Sequence, residues 1–343
     1  MSRVPQARLL ICAFLVTLLA GGCVSSDSAA QLAKNGSVLT KSAEDSIATT
    51  GNALDSYVES EYLLAGLTES PPPDQKLLGD IEEVRAVLTQ RTEMLKKLES
   101  LYDSYGKLAS YDASKEVKDA VGPLIDSINA YNGAVYKAET KPPDAPATAQ
   151  PVFSTADGDL IKELAGGTAS WIQSTKLRSG SATIRRFLER IIPVMEREAR
   201  VYQSIERVSA QTLGTASTEL YRSGIGKPHP IIRHYVESCG LEFDPAQVDA
   251  VLSGSDAKKK KQLQDAVGYA IQARVDRQAA LRAGAIQQTI AALHELKKEH
   301  EDFEKGKEVE FAGLASDLSL LRHYTERLQK ADEERLPPTR FPK

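Results

Sequence analysis

The strongest constraint on what this chain can fold into is a heptad pattern between Asp74 and Ser110. Ile81, Leu88, Leu95, Tyr102 and Ala109 occupy one position of the repeat. Leu77, Val84, Leu98 and Tyr105 occupy the position three further on, where Arg91 is the exception. Residues three and four apart share a helix face, so this spacing predicts a helix with a continuous apolar seam. Met94, Leu101 and Leu108 widen the seam in its second half, which suits a multi-helix bundle better than a two-stranded coil. The fold class expected is all-α: an elongated multi-helix bundle with long coiled-coil-like helices.

The flanking sequence extends this reading. From Ser26 to Leu67 the chain is rich in Ala, Ser, Leu and Glu without proline, which permits one long helix despite Gly36 and Gly51. Ser70-Pro71-Pro72-Pro73 stops it and Asp74 is placed to N-cap the next. Ser114 is expected to N-cap a third helix running to about Ala138, delayed or bent by Gly122-Pro123. Four prolines between Glu139 and Pro151 predict an extended, solvated linker. Beyond it, Leu160, Ile161, Leu164, Trp171 and Ile172 predict a helix weakened by Gly166-Gly167. Ser179-Gly180-Ser181 is a break or a soft spot. The seam Ile184, Leu188, Ile191, Met195, Tyr202, Ile205 runs toward Arg222, with Pro193 placed to kink it or interrupt its hydrogen bonds.

Short helices are expected around Ile231–Cys239, closed by Gly240, and after Asp244-Pro245. A last helical stretch carries Leu263, Val267, Ile271, Ile286, Ile290 and Leu293. Between Lys297 and Glu308 its stripe nearly vanishes, so this part is either a turn around Gly306, which is favoured, or a projecting helix. Phe311, Leu314, Leu318, Leu321 and Leu328 resume the pattern. The organisation expected is a leader over 1–22, an N-terminal helical region over 23–138, a linker over 139–156, a C-terminal helical region over 157–336 and a tail over 337–343. No fixed-period repeat indicates a solenoid.

The chain opens with Arg3 and Arg8, an apolar run from Leu9 to Ala20, and Leu19-Ala20-Gly21-Gly22-Cys23. A run of about a dozen apolar residues is too short to cross ~30 Å of hydrocarbon, so it reads as a secretory leader. The small residues before Cys23 resemble the lipobox of bacterial lipoproteins, with Ala20 where that family usually has Leu. The resemblance covers this segment alone. It implies cleavage before Cys23 and fatty acylation of that residue. Val24 follows, not the Asp that in lipoproteins of enteric bacteria signals retention in the inner membrane, so the periplasmic face of the outer membrane is expected. Lys343 resembles the terminal lysine by which murein lipoprotein is joined to peptidoglycan, although Phe341-Pro342 departs from that family's ending.

Charge narrows the partners. The chain has 43 Lys+Arg against 47 Asp+Glu, and removal of Arg3 and Arg8 with the leader leaves 41 against 47, a net charge of −6. A nucleic-acid surface needs clustered excess positive charge, so none is expected. The twelve Tyr, many at helix-facing spacings, are expected to pack their rings and reach water with their hydroxyls.

Few residues carry reactive chemistry. With Cys12 in the leader and Cys23 acylated, Cys239 alone remains, and it shares a helical face with Ile231, Ile232, Tyr235 and Val236, which predicts a buried thiol. The densest reactive group is Tyr221, His229, Arg233, His234, Tyr235, Glu237 and Cys239. From it Tyr221, His229, Arg233 and His234 are the candidate ligand site, although the five-residue His spacing does not put two imidazoles on one helix face. His294 and His300 point about 120° apart on an unbroken helix, so with Glu295 and Glu299 they read as a solvated charged face. Lys258–Lys261 sit at a helix start, where positive charge opposes the dipole. They read as a solvated segment, with contact to anionic lipid or polymer as the other possibility.

No phosphate loop, nucleophile elbow, HExxH or paired-Cys zinc signature occurs, so no cofactor or metal is implied. The function expected is a non-enzymatic, lipid-anchored, periplasm-facing scaffold or interaction protein of the cell envelope, with another envelope protein or polymer as partner. The alternatives are a ligand-binding or catalytic bundle using Tyr221–Cys239 and a peptidoglycan-linked spacer.

Overall fold

The computed structural model describes residues 5–111, 113–139, 146–154 and 173–333, with side chains from position 26 onward. Among them the secondary structure is helical throughout: α1 (Pro5–Thr68), α2 (Gln75–Ser110), α3 (Ser114–Ala138), α4 (Gln173–Arg222), α5 (His229–Ser238), α6 (Pro245–Ser253), α7 (Ala257–Glu304) and α8 (Ala312–Glu333). The protein is an all-α multi-helix bundle with several long helices. The expected helix over 157–172, the tail and Lys343 lie outside the described residues, as do the side chains of the leader and Cys23.

The helix boundaries follow local chemistry. Asp74 Oδ1 accepts from Leu77 N at 2.8 Å and caps α2 after the proline run. Asp244 caps α6 through Ala246 N at 2.9 Å, with Pro245 at the first helical position. α5 ends in a Schellman arrangement: Gly240 adopts φ 71° while Leu241 N bonds Val236 O and Gly240 N bonds Glu237 O. Ser114, by contrast, is the first residue of α3 and Ala113 holds the cap position without a side-chain bond. Gly122 and Pro123 neither delay nor end α3. Pro193 likewise lies inside an uninterrupted α4, since proline removes a single backbone donor while the neighbouring turns keep theirs.

The chain forms two compact units, Met1–Ile47 with Ala86–Ala199 and Ala285–Thr325, and Ala48–Arg85 with Arg200–Gly284 and Glu326–Lys343. Each gathers segments from before and after the 139–156 stretch, because each is built from portions of long helices remote in sequence.

In the first unit the α2 seam is the core: Leu88, Met94, Leu95, Leu98, Leu101, Tyr102 and Tyr105 are all buried. Gly36 of α1 faces Tyr102, whose ring a Cβ at that position would overlap, and Gly106 of α2 faces Ala33 of α1. The two helices therefore approach closely through small residues. Gly180 is neither break nor soft spot. It lies within α4 and seats the Tyr105 ring, 3.0 Å from where a Cβ would stand.

The described part of the proline-rich stretch, 146–152, is non-helical and exposed or half-buried, and it is pinned at its far end. Phe153 is buried against Phe187 with ring centroids 5.2 Å apart. Asn129 pairs with its backbone in both directions at 3.0 Å, and Asn132 Nδ2 donates to Gln150 O at 2.9 Å. Two asparagines on α3 satisfy backbone that proline cannot pair with itself, which fixes residues 150–153 on the helix.

In the second unit Tyr221, Val267 and Ile271 form a small cluster to which Ile231, Ile232, Leu252 and Leu263 add partial cover. α5 and α6 contribute no fully buried residue.

Candidate functional site

The chemically richest places are inside the helix packing. Arg91, the exception in the α2 seam, is buried, and its Nη1 donates to Glu198 Oε1 of α4 at 3.0 Å. Tyr131 of α3 donates its hydroxyl to the other oxygen, Glu198 Oε2. One residue earlier on α4, Arg197 Nη2 donates to Asn132 Oδ1. A buried carboxylate is tolerable when its lone pairs are filled, and here both oxygens are engaged by two different helices.

A second group surrounds His300 of α7, which is fully buried. Its Nδ1 lies 2.8 Å from Ser181 Oγ of α4 and its Nε2 lies 3.2 Å from the Tyr102 hydroxyl of α2. Ser181 Oγ also donates to His300 O at 3.3 Å. A consistent assignment has Nδ1–H donating to Ser181 and Nε2 accepting from Tyr102. Burial, and then the Arg185 guanidinium, push the imidazole down to about 3, so it stays neutral. Tyr105 donates to Leu177 O at 3.1 Å, and burial raises both this phenol and that of Tyr102.

A serine hydroxyl beside an imidazole has nucleophile-and-base spacing. However, the third partner is a phenol instead of a carboxylate, and Ser181, His300 and Tyr102 are all wholly buried. What the arrangement can do is hold α2, α4 and α7 in one register.

Glu299 differs from its neighbours: it is 4% exposed and both carboxylate oxygens are buried without a hydrogen-bond partner. Burial first, then Glu295, push its carboxyl up to about 8, against the opposing pull of Lys298. The group His294, Glu295, Glu299 and His300 is therefore not simply a solvated charged face, since Glu299 and His300 are buried. α7 continues to Glu304 before the turn at Gly306, φ 69°, and the stripe continues through Leu296, His300 and Phe303. His294 does face solvent, 3.3 Å from Glu196 Oε1.

The second unit has its own ionic clamp, with Arg282 Nε and Nη2 both 2.7 Å from the Glu206 carboxylate. In this unit's portion of α1, Tyr57 is pushed up to about 12 by burial and by Glu61, which accepts from Thr212 at 2.9 Å.

Of the residues singled out from sequence, Tyr221 is buried in the apolar cluster, which raises its phenol. His229 Nε2 is 3.1 Å from Asp249 Oδ1, and its ring meets Phe243 edge-on with centroids 6.2 Å apart. Arg233 lies 5.1 Å over the same Phe243 ring and 4.0 Å from Glu237. Phe243 thus joins His229 and Arg233, a role the sequence did not reveal. Arg233 and His234 are exposed. Cys239 is an exposed free thiol, contrary to the buried one expected, because the side of α5 turned partly inward carries His229, Ile231, Ile232 and Val236 and stops short of it. Lys258–Lys261 are all exposed. Among the described residues no group of three or more His, Cys, Asp or Glu side chains is placed to hold a metal ion. No helix among them is long and apolar enough to cross a membrane.

Comparison with known protein families, curated proteins and solved structures finds no match to this chain.

Proposed function

We propose that this chain is a lipid-anchored, periplasm-facing helical scaffold or interaction protein of the bacterial cell envelope, without enzymatic activity. Anchoring rests on the Leu9–Cys23 segment and its resemblance to the lipobox, and outer-membrane placement on Val24. The observation that carries the scaffold reading is how the strongest polar groups are used. Arg91, Glu198, Tyr131, Ser181 and His300 are buried and bonded from one helix to another. Such groups specify how helices pair and present nothing to a substrate.

The rival reading places ligand chemistry at Tyr221, His229, Arg233 and His234. Arg233→Ala and His234→Ala test it in a strain that depends on the protein. Exposed side chains of this kind should change stability by less than ~0.5 kcal/mol, and both variants should restore function as the wild type does. Loss of function in a folded, membrane-bound His234→Ala protein would move the assignment to that region.

A further inference from the structure

Residues 146–154 are held to the first unit in the way a peptide is held in a groove. Of these nine residues only Phe153 is buried; the rest are exposed or half-buried. Its ring packs against Phe187 of α4, and the Arg190 guanidinium of the same helix lies 5.9 Å over it. Among the described residues, the hydrogen bonds to the backbone of this segment come from α3 side chains. Asn129 Oδ1 accepts from Phe153 N and Asn129 Nδ2 donates to Phe153 O, both at 3.0 Å. Asn132 Nδ2 donates to Gln150 O at 2.9 Å, and the Tyr136 hydroxyl donates to Pro146 O at 2.6 Å.

Asn129, Asn132 and Tyr136 are three and four residues apart, which puts them on one face of α3. Their partners at 153, 150 and 146 follow the same intervals in the opposite direction, so segment and helix run antiparallel in one register. Asn132 is 4% exposed, and its Oδ1 accepts from Arg197 Nη2 of α4, which leaves its amide NH2 turned to the segment. Hydrogen bonds to a bound backbone are indifferent to the side chains it carries, whereas a pocket that takes one side chain selects for it. Peptide-recognition sites combine these two elements. Pro146 and Pro151 restrict the segment before it docks, which lowers the entropy lost on ordering it.

We propose that the α3 face of Asn129, Asn132 and Tyr136, with Phe187 and Arg190 of α4, is a peptide-binding groove for a Pro-x-Phe segment of a partner protein. The chain's own Pro151-Val152-Phe153 occupies it in cis and acts as a built-in competitor, displaced when a partner segment binds. The proposal rests on the interaction-protein reading and gives that reading a partner chemistry, without depending on acylation of Cys23.

The probe is a fluorescein-labelled peptide, Pro-Ala-Thr-Ala-Gln-Pro-Val-Phe-Ser, which copies residues 146–154, titrated with the full chain and followed by anisotropy. The Phe153→Ala chain should bind it on the order of tenfold to a hundredfold more tightly than the wild type, because the competing segment has lost its buried ring. The same peptide with Phe153→Ala should not bind, and Asn129→Ala added to the Phe153→Ala chain should weaken binding about tenfold. Equal affinity for the wild-type and Phe153→Ala chains, or affinity indifferent to Asn129, overturns the proposal. Circular dichroism of the Phe153→Ala chain should show its helices intact; their loss would make the segment part of the core and overturn it as well. A wild-type dimer that the peptide dissociates would give the groove to a second copy's segment and overturn the assignment to a partner. Any of these failures leaves lipid anchoring, measured by acylation, untouched.

Discussion

Glu299 and His300 are adjacent on α7, both buried, and displaced in opposite directions, the carboxyl up from 4.5 to about 8 and the imidazole down from 6.5 to about 3. Between pH about 3 and 6.5 the unfolded chain takes up a proton on His300 that the folded chain refuses, so stability rises with pH there. Between about 4.5 and 8 the folded chain keeps a proton on Glu299 that the unfolded chain has lost, so stability falls with pH there. The two contributions oppose each other where the windows overlap. A plateau near pH 4.5 to 6.5 is expected, with declines on either side approaching at most about 1.4 kcal/mol per pH unit. Urea unfolding across this range should find that Glu299→Gln loses the alkaline decline and keeps the acid one. An unchanged alkaline decline would count against the assignment. Gly36 gives a simpler case: Gly36→Ala pushes a methyl into the buried Tyr102 ring and should cost about 1–3 kcal/mol of unfolding free energy. A change within error would mean the ring moves aside freely.

At the scale of elements, polar residues complete the seams. On α4 the apolar positions Ile184, Leu188, Ile191, Met195 and Tyr202 leave one vacancy in their alternating spacing, and Glu198 fills it. Arg91 fills the matching vacancy on α2. Arg91→Ala should therefore destabilise by about 3–5 kcal/mol, because Glu198 is left as an uncompensated buried charge. Replacing both partners by leucine should recover much of that loss, and denaturant midpoints of the single and double variants check both outcomes. If Arg91→Ala is no worse than an exposed substitution, the pair does not hold the helices. The helices themselves were legible because apolar periodicity is local information. The pairings were not, since Arg91 reads from sequence as an interruption, and His300 with Glu299 as a polar face, until the opposite helix is in place. Gly36 and Gly180 likewise look like weaknesses when the tyrosine each one seats is 66 or more positions away.

At the scale of the whole molecule, all-α architecture followed from the seams, whereas the two units did not. Each unit joins stretches of chain separated by more than a hundred residues, and nothing in a helix period encodes which helices will meet. The candidate ligand site was only partly legible: His229 and Arg233 do converge, but on Phe243, which carries no reactive chemistry to mark it. The proposed role of the whole protein is that of a helical scaffold held at a membrane by an acylated Cys23. The direct measurement is metabolic labelling with a fatty acid, followed by membrane sedimentation, for the wild type and Cys23→Ala. Label is expected in the wild type, recovered with membranes, and the Cys23→Ala protein is expected to be unlabelled and not retained. Equal labelling of Cys23→Ala, or its full retention without label, would contradict it.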